Sequence, residues 1–283
     1  MHQCPETPPL DTDTADRLSG HVWVQELPTG GELRFQVAAS GLVRFGTVEG
    51  TFETAASVPV PYRRAAAEIR DRLDRGVLQG ATDDPEDVTF YGVATWNEGV
   101  PYDWAALPPF VGTDVWSGTK GAFLSPDTAT GVFDRLGLAT PPAVEKERPA
   151  AHTDFTRFAD SAGFPQSAWR DGRAAGLLIR DKADGRAAAW RGDRGDTTGA
   201  KKEWPADELA AEYATTARIE RTVDRLRESE RSLTVTTIRD RLVADLARES
   251  YATLYPDGTF VADMAAFQSA VAERVQRRQW TGE

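Results

Sequence analysis

Cysteine occurs once in the 283 residues, at Cys4 in a proline-rich opening stretch, with no second thiol to meet it. That excludes a disulfide framework and any metal site built on cysteine. Histidine is nearly as scarce. His2, His21 and His152 are dispersed, none with a second histidine at helical spacing or a paired acid beside it, so a metal site of the usual kinds is not expected. Long apolar runs are missing too: no window approaches the roughly 18 consecutive apolar residues of a membrane span. The opening MHQCPETPPLDTDT has neither the basic flank nor the apolar stretch of a signal peptide, so the expectation is a cytoplasmic protein with no membrane partner. Lysine is confined to positions 120, 146, 182, 201 and 202, which leaves arginine to supply nearly all the positive charge.

What is present is acid. A formal charge of −11 argues against a protein that simply coats nucleic acid, because phosphate binding draws on clustered positive charge, although a local basic groove stays open to it. The length suits one large domain and a smaller appendage. No internal repeat or low-complexity tract interrupts it. Residues 192–203, GDRGDTTGAKKE, have linker composition, which divides the chain into 1–192, a linker at 193–204 and 205–283.

Alternating apolar residues predict strands at Val22–Val24, Leu33–Val37 and Leu42–Phe45, with Gly30-Gly31 and Ser40-Gly41 as turns. Tyr62, Ala66, Ile69 and Leu73 predict a helix over 61–75 that stops at Gly76. Strands return at Val88–Ala94 and Phe110–Val115. Ser125-Pro126-Asp127 combines an N-cap oxygen, a proline whose missing N–H costs nothing there, and an acid suited to the helix dipole, predicting a helix from there to Gly137. A helix is expected around 154–162, then a strand pair at Gly176–Arg180 and Arg186–Trp190. Beyond the linker the period becomes helical, with stripes through Leu209–Leu226, Ile238–Leu246 and Met264–Val275 that predict a three-helix unit.

Lys182-Ala183-Asp184-Gly185 spells the Lys-x-Asp-Gly of enzymes that make a covalent lysyl-nucleotide, in which the lysine nitrogen attacks an α-phosphate. The four residues join two short apolar runs, however, and an Asp-Gly ending between such runs is a hairpin signal. Only linker and helices follow, with no strands left to complete a pocket.

A wider likeness runs through residues 15–192 in order. Val22–Phe35, VWVQELPTGGELRF, resembles the strand-turn-strand that opens the nucleotidyltransferase domain of the RNA ligase family, where Glu-Lys-x-Asp-Gly precedes an apolar strand; Glu26 and Gly30 match that pattern. Phe90-Tyr91-Gly92 resembles the strand bearing the family's Gly-Glu. Tyr102–Val115, ending PPFVGTDV, is similar to the segment that ends in an apolar-Asp-apolar strand, and Gly137-Leu138 with the prolines that follow continue it. Ala175–Arg180 looks like the Glu-Gly-x-Val-x-Arg strand, with Arg186–Trp190 where a lysine-bearing strand follows.

The resemblance implies an α+β fold: a ligase-type nucleotidyltransferase domain of antiparallel sheets with flanking helices, plus a C-terminal helical domain. Residue by residue it also implies a pocket emptied of its chemistry. Leu27 stands where the nucleotide-accepting lysine belongs, and Thr29 in place of the aspartate. Val93 and Ala175 replace glutamates, and the last lysine position falls at Ala188 within the Ala187–Ala189 run. Leucine has no lone pair to attack phosphorus. Each loss removes a group that would bind metal, ribose or phosphate. Gly30 is retained. Arg180 survives in register either as a charged pocket residue or as an exposed strand arginine.

No catalytic residue is expected on this reading: the chain is a pseudoenzyme that binds RNA ends, a nucleotide or a protein partner, with ATP and Mg²⁺ as cofactors only if the pocket still works. Two alternatives stand beside it. One is an active ATP-dependent RNA ligase using a displaced lysine, Lys182 or Lys120; the other is a protein-interaction module without nucleotide binding. Trp96, Trp104 and Trp116 fall around the segment that would rim the pocket, where they could stack on a base or serve as packing. The arginines at 218, 221 and 225, and at 274, 277 and 278, suit either RNA backbone contact or salt-bridged helices, since Glu220, Asp224, Asp245, Glu249 and Glu273 interleave with them.

Overall fold

The computed structural model describes residues 1–54, 56–82, 84–183, 185–191 and 204–279. The chain divides into two compact units, Met1–Gly195 and Asp196–Glu283. The expected linker at 193–204 lies, except for residue 204, outside the described residues.

In the first unit the elements run α1 (Thr12–Arg17), β1 (His21–Leu27), β2 (Gly30–Val37), β3 (Val43–Thr47), β4 (Gly50–Phe52), α2 (Val60–Arg72), α3 (Arg75–Ala81), β5 (Val88–Thr95), β6 (Phe110–Ser117), β7 (Ala122–Phe123), α4 (Pro126–Arg135), β8 (Ala143–Pro149), β9 (Gly176–Arg180) and β10 (Arg186–Trp190). They form two sheets, ordered β10-β9-β1-β8 and β4-β3-β2-β5-β6-β7, with every strand pair antiparallel. Consecutive strands β1 and β2 therefore belong to different sheets, and Pro28-Thr29 alone carries the chain from one to the other. Whatever stands at this joint stands where the two sheets meet.

Each sheet has its own apolar backing, built from the two-residue period of its strands. In the four-stranded sheet, Val22, Val24, Leu177, Ile179 and Ala189 pack on Phe158, Phe164 and Leu18. In the six-stranded sheet, Phe35 stacks on Phe90 with centroids 4.7 Å apart, and Phe110 and Phe133 close edge-on around them. Gly112 makes room for this: a Cβ there would run into the Phe133 ring, so β6 can press against α4 only because that position is bare. The other faces of the two sheets turn toward each other: Val93 packs over Leu27, Leu178 and Ala188, and Asp114 pairs with Arg180 and Arg186 across the groove between them.

The α+β class, with antiparallel sheets and a helical C-terminal part, agrees with the sequence expectation. Several elements differ. The helix expected at 61–75 breaks after Arg72, and Gly76 lies inside the next helix, where the Asp74 carboxylate caps the Val77 N–H at 3.0 Å. Around 154–162 the backbone makes short 3₁₀ turns, Phe155–Ala159 and Ser161–Gly163, in place of an α-helix. Ser125 occupies the N-cap of α4, yet its hydroxyl bonds the Thr128 hydroxyl at 2.8 Å and caps no backbone N–H. The charged stretch at 145–148 is part of β8, which pairs with β1.

The second unit contains α5 (Ala206–Tyr213), α6 (Thr216–Glu228), α7 (Val235–Glu249), α8 (Tyr251–Leu254) and α9 (Met264–Gln279), five described helices where three were expected. The first predicted stripe is split at Ala214, and Thr215 then caps α6. Helix α9 packs on α5 and α7, and α6 on α7, burying Leu209, Ile219, Leu242, Phe267 and Val271. Arg225 lies 3.8 Å from Asp245 and 4.0 Å from Glu249, and Arg278 bonds Glu220, so these arginines are engaged by acids within the unit. No described helix is long and apolar enough to cross a membrane.

Candidate functional site

The groove between the sheets has an apolar end at the β1–β2 joint. Leu27, the last residue of β1, packs with Leu178 of β9 and Ala188 of β10, and Val93 of β5 closes over them from the opposite sheet. Three of the positions singled out in the sequence, Leu27, Val93 and Ala188, thus meet in one place. Gly30 begins β2 beside them, opposite Thr95, at φ +152°; a Cβ there would fall on the Ala94 carbonyl. Thr29 is fully buried and is spent on the joint itself. Its N–H donates to the Tyr102 hydroxyl at 3.0 Å, and its own hydroxyl donates to the Trp96 carbonyl at 2.6 Å. Ala175 does not join this group; it packs with Val100, Tyr102, Leu107, Val111 and Trp169.

Glu26, the other match in that motif, faces away from Leu27. Its carboxylate accepts from the Ser167 hydroxyl and, at 2.8 Å, from the Ala168 N–H. Burial pushes its pKa up despite those two donors.

The groove's charged end is formed by Asp114, Arg180 and Arg186. A bulge sets Tyr91 opposite Asp114 and Gly92 opposite Gly112, leaving Thr113 as an extra residue in β6. The Thr113 carbonyl accepts from Arg180 Nη1, which also lies 2.8 Å from Asp114 Oδ1, while Nη2 donates to Gln25 Oε1. Arg186 Nη2 takes the other oxygen, Oδ2, at 2.9 Å. Arg180 is 4% exposed, so it is no surface strand arginine. Burial alone would raise the Asp114 pKa, but the two guanidiniums override it and hold the carboxyl well below the usual aspartate range. The same desolvation lowers the Arg180 pKa, partly offset by Asp114. The arrangement is a clamp tying β6 to β9 and β10, with Asp114 and Arg180 buried and Arg186 partly so. The match to an apolar-Asp-apolar strand included Asp114 without a role for its carboxylate, because the bulge beside it is invisible in one sequence.

Lys182 lies in the β9–β10 hairpin, away from Leu27. The Asp181 carboxylate ties that turn by accepting from the N–H groups of Ala183 and Gly185, both at 2.7 Å. Residue 184 lies outside the described residues. Lys182 Nζ is 2.9 Å from Glu147, whose hydrogen bond raises the lysine pKa and keeps the amine protonated. Lys120 is exposed in the β6–β7 turn. Of the three tryptophans, Trp96 meets Tyr62 edge-on, Trp104 meets Tyr102, and Trp116 stacks on His2.

The donor set does not fit Mg²⁺, which asks for oxygen ligands free of other partners. Both Asp114 oxygens are taken by guanidiniums, and no group of three or more His, Cys, Asp or Glu among the described residues could hold a metal ion.

The sequence matches no family model and no curated protein. Among solved structures, the chain is similar to an archaeal ATP-dependent RNA ligase, form 1, at 14% identity, with a TM-score of 0.47 and coverage of 100% of this chain and 67% of that one. A second form gives 16% identity, a TM-score of 0.45 and coverage of 99% and 66%. An RNA ligase of Naegleria gruberi with PPi is 13% identical, with a TM-score of 0.48 over 66% of this chain and 55% of that one. The chain thus spans about two thirds of the archaeal enzyme's length and little more than half of the Naegleria enzyme's.

Proposed function

We propose that this chain is an RNA ligase-like protein that binds in its inter-sheet groove without forming a lysyl-nucleotide, its ligand being a nucleotide or the phosphorylated end of an RNA. The observation that carries this is the packing of Leu27 against Leu178, Ala188 and Val93. Side chains brought together by the resemblance from three separate segments meet at the joint of the two sheets, and not one of the four can attack phosphorus, hold a metal or donate a proton. Arg34, 3.8 Å from Glu32, joins Arg180 and Arg186 on Asp114, so three guanidiniums meet two carboxylates there, an excess of one positive charge in an acidic protein that suits a phosphate-bearing ligand. Nothing in this reading runs through Mg²⁺.

Incubation of the full chain with labelled ATP and Mg²⁺, followed by acid quench, is expected to leave the protein unlabelled. An acid-stable adenylate would overturn the proposal and favour the displaced-lysine ligase; mass spectrometry would then locate it. Lys182 is disfavoured as the nucleophile because Glu147 holds its amine in the protonated form. Equilibrium titration with ATP and with 5′-phosphorylated single-stranded RNA separates binding from the third reading, a protein-interaction module, for which neither ligand should bind. Binding to phosphate should weaken steeply as salt rises.

A further inference from the structure

The groove is already crossed by the chain's own first residues. At its edge, the Ala188 N–H donates to the Pro8 carbonyl at 2.9 Å and the Leu10 N–H to the Ala188 carbonyl at 2.7 Å, so residues 8–10 run as a short parallel strand beside β10. From there the segment spans the opening to the other sheet. Thr7 Oγ1 accepts from Arg186 Nε at 3.0 Å. Cys4 lies half-buried near Glu32, Asp114 and Arg186, and burial beside the two acids pushes its thiol pKa up. The His2 ring stacks on Trp116 with centroids 3.6 Å apart and planes 10° from parallel. Its carbonyl accepts from the Tyr91 hydroxyl at 3.0 Å, and its N–H lies 3.4 Å from Thr89 Oγ1. Contacts therefore anchor the segment on β5, β6 and β10 at once.

The segment's composition suits a removable occupant better than a core strand. Pro5, Pro8 and Pro9 fix φ and favour an extended path, so docking costs little backbone entropy, while their missing N–H groups keep the segment from becoming a full sheet strand. His2, Gln3, Glu6 and Thr7 remain exposed, so it lies over the groove and is not threaded through it. Beneath it the charges do not balance: Arg34, Arg180 and Arg186 face Glu32 and Asp114. Arg34 Nε and Arg180 Nε are buried N–H donors without an acceptor, against one buried acceptor without a donor, Glu32 Oε1, and Arg186 Nε bonds the strap's own Thr7 hydroxyl. Burying donors unpaired is costly, and an anionic oxygen in the groove would relieve it.

We propose that residues 1–7 are a strap that occupies the groove in place of a phosphate ester, the Thr7 hydroxyl standing where a phosphate oxygen would accept from Arg186, and that ligand binds only when the strap lifts. The strap itself rests on these contacts alone; the choice of a phosphate ester as ligand rests on the binding role proposed above.

Cys4 is the chain's one cysteine, so a thiol reagent reads the strap without mutation. In the native protein, labelling of Cys4 is expected to be about tenfold or more slower than in the denatured chain, as for a group exposed only by local opening. Removing the stacking and the Arg186 contact together, with His2→Ala and Thr7→Ala, should speed it several-fold while leaving Leu27 and its neighbours untouched. The same variant should bind AMP or a 5′-phosphorylated oligoribonucleotide several-fold more tightly than the parent, and saturating AMP should accelerate Cys4 labelling in the parent. Native labelling at the denatured rate would overturn the strap. Equal affinities of parent and variant would overturn its gating. Failure of both proteins to bind AMP, the oligoribonucleotide or inorganic phosphate would overturn the ligand assignment. The adenylation assay is a separate readout, so failure of the non-catalytic reading is distinguishable from each of these.

Discussion

At the scale of single residues the groove is governed by what Asp114 and Leu27 are. Asp114 is the sole carboxylate touching Arg180 and Arg186 among the described ion pairs, and both Asp114 and Arg180 are buried. Asp114→Asn leaves the Arg180 guanidinium desolvated without a counter-charge, and should cost about 3–5 kcal/mol in urea unfolding. The pH dependence follows from the lowered folded pKa. The stability this carboxylate contributes is fully present above its ordinary value of 3.8 and is lost progressively as pH falls below it, through the lower folded value. Unfolding midpoints measured from pH 6 downward should therefore drop more steeply in the parent than in the Asn variant. Leu27→Lys tests the other residue. Restoring the lysine alone should yield no adenylate in the labelled-ATP assay, because Val93 and Ala188 still supply no acid or base beside it. It should also destabilise the fold by about 3–5 kcal/mol at pH 7, since a buried ammonium gives up its proton at the expense of its ordinary pKa. Leu27 and Val93 were legible as neighbours because strand order survives in sequence. Ala175 precedes β9 and packs one step along the same inter-sheet face, on Val111, the cross-strand partner of Val93, and on Tyr102; where the chain enters a strand is set by contacts far along the sequence, which strand order does not carry.

At the scale of elements, the joint between β1 and β2 bears the tightest steric demand. Gly30 lies against the Ala94 carbonyl at a positive φ, so Gly30→Ala should cost about 1–3 kcal/mol through strain and displacement of β5. Gly80 offers the internal contrast. It sits in α3 with nothing within 4 Å of where a Cβ would go, and Gly80→Ala should be neutral or stabilise by up to about 1 kcal/mol. Thermal unfolding of the two variants side by side checks both. Elements with one clean apolar face were readable: β9 and β10 fall where expected, because Leu177, Ile179 and Ala189 all feed one cluster. β8 was not, because a half-exposed strand rich in Glu, Lys and Arg carries no apolar alternation, and its pairing with β1 shifts register around Glu147 at φ +53°. The 3₁₀ turns at 155–163 failed for a related reason: Phe158 and Phe164 are buried individually, without the repeat that distinguishes a helix.

At the scale of the whole molecule, each unit closes its own core. The first rests on two sheets with separate apolar backings, the second on α9 packed against α5 and α7, and Phe267, at 1% exposure, sits inside that second core. If the units unfold as separate cooperative bodies, a cavity in one should leave the other's transition where it was. Phe267→Ala removes a buried aromatic ring and should destabilise the second unit by about 3–5 kcal/mol. Calorimetry of the full chain should then show two transitions, with Phe267→Ala lowering one of them and Asp114→Asn lowering the other. The sign of coupling is carried by the unmoved transition in each variant: a single endotherm shifted by both substitutions would mean that the two cores melt as one, and that the division between them is one of shape and not of folding.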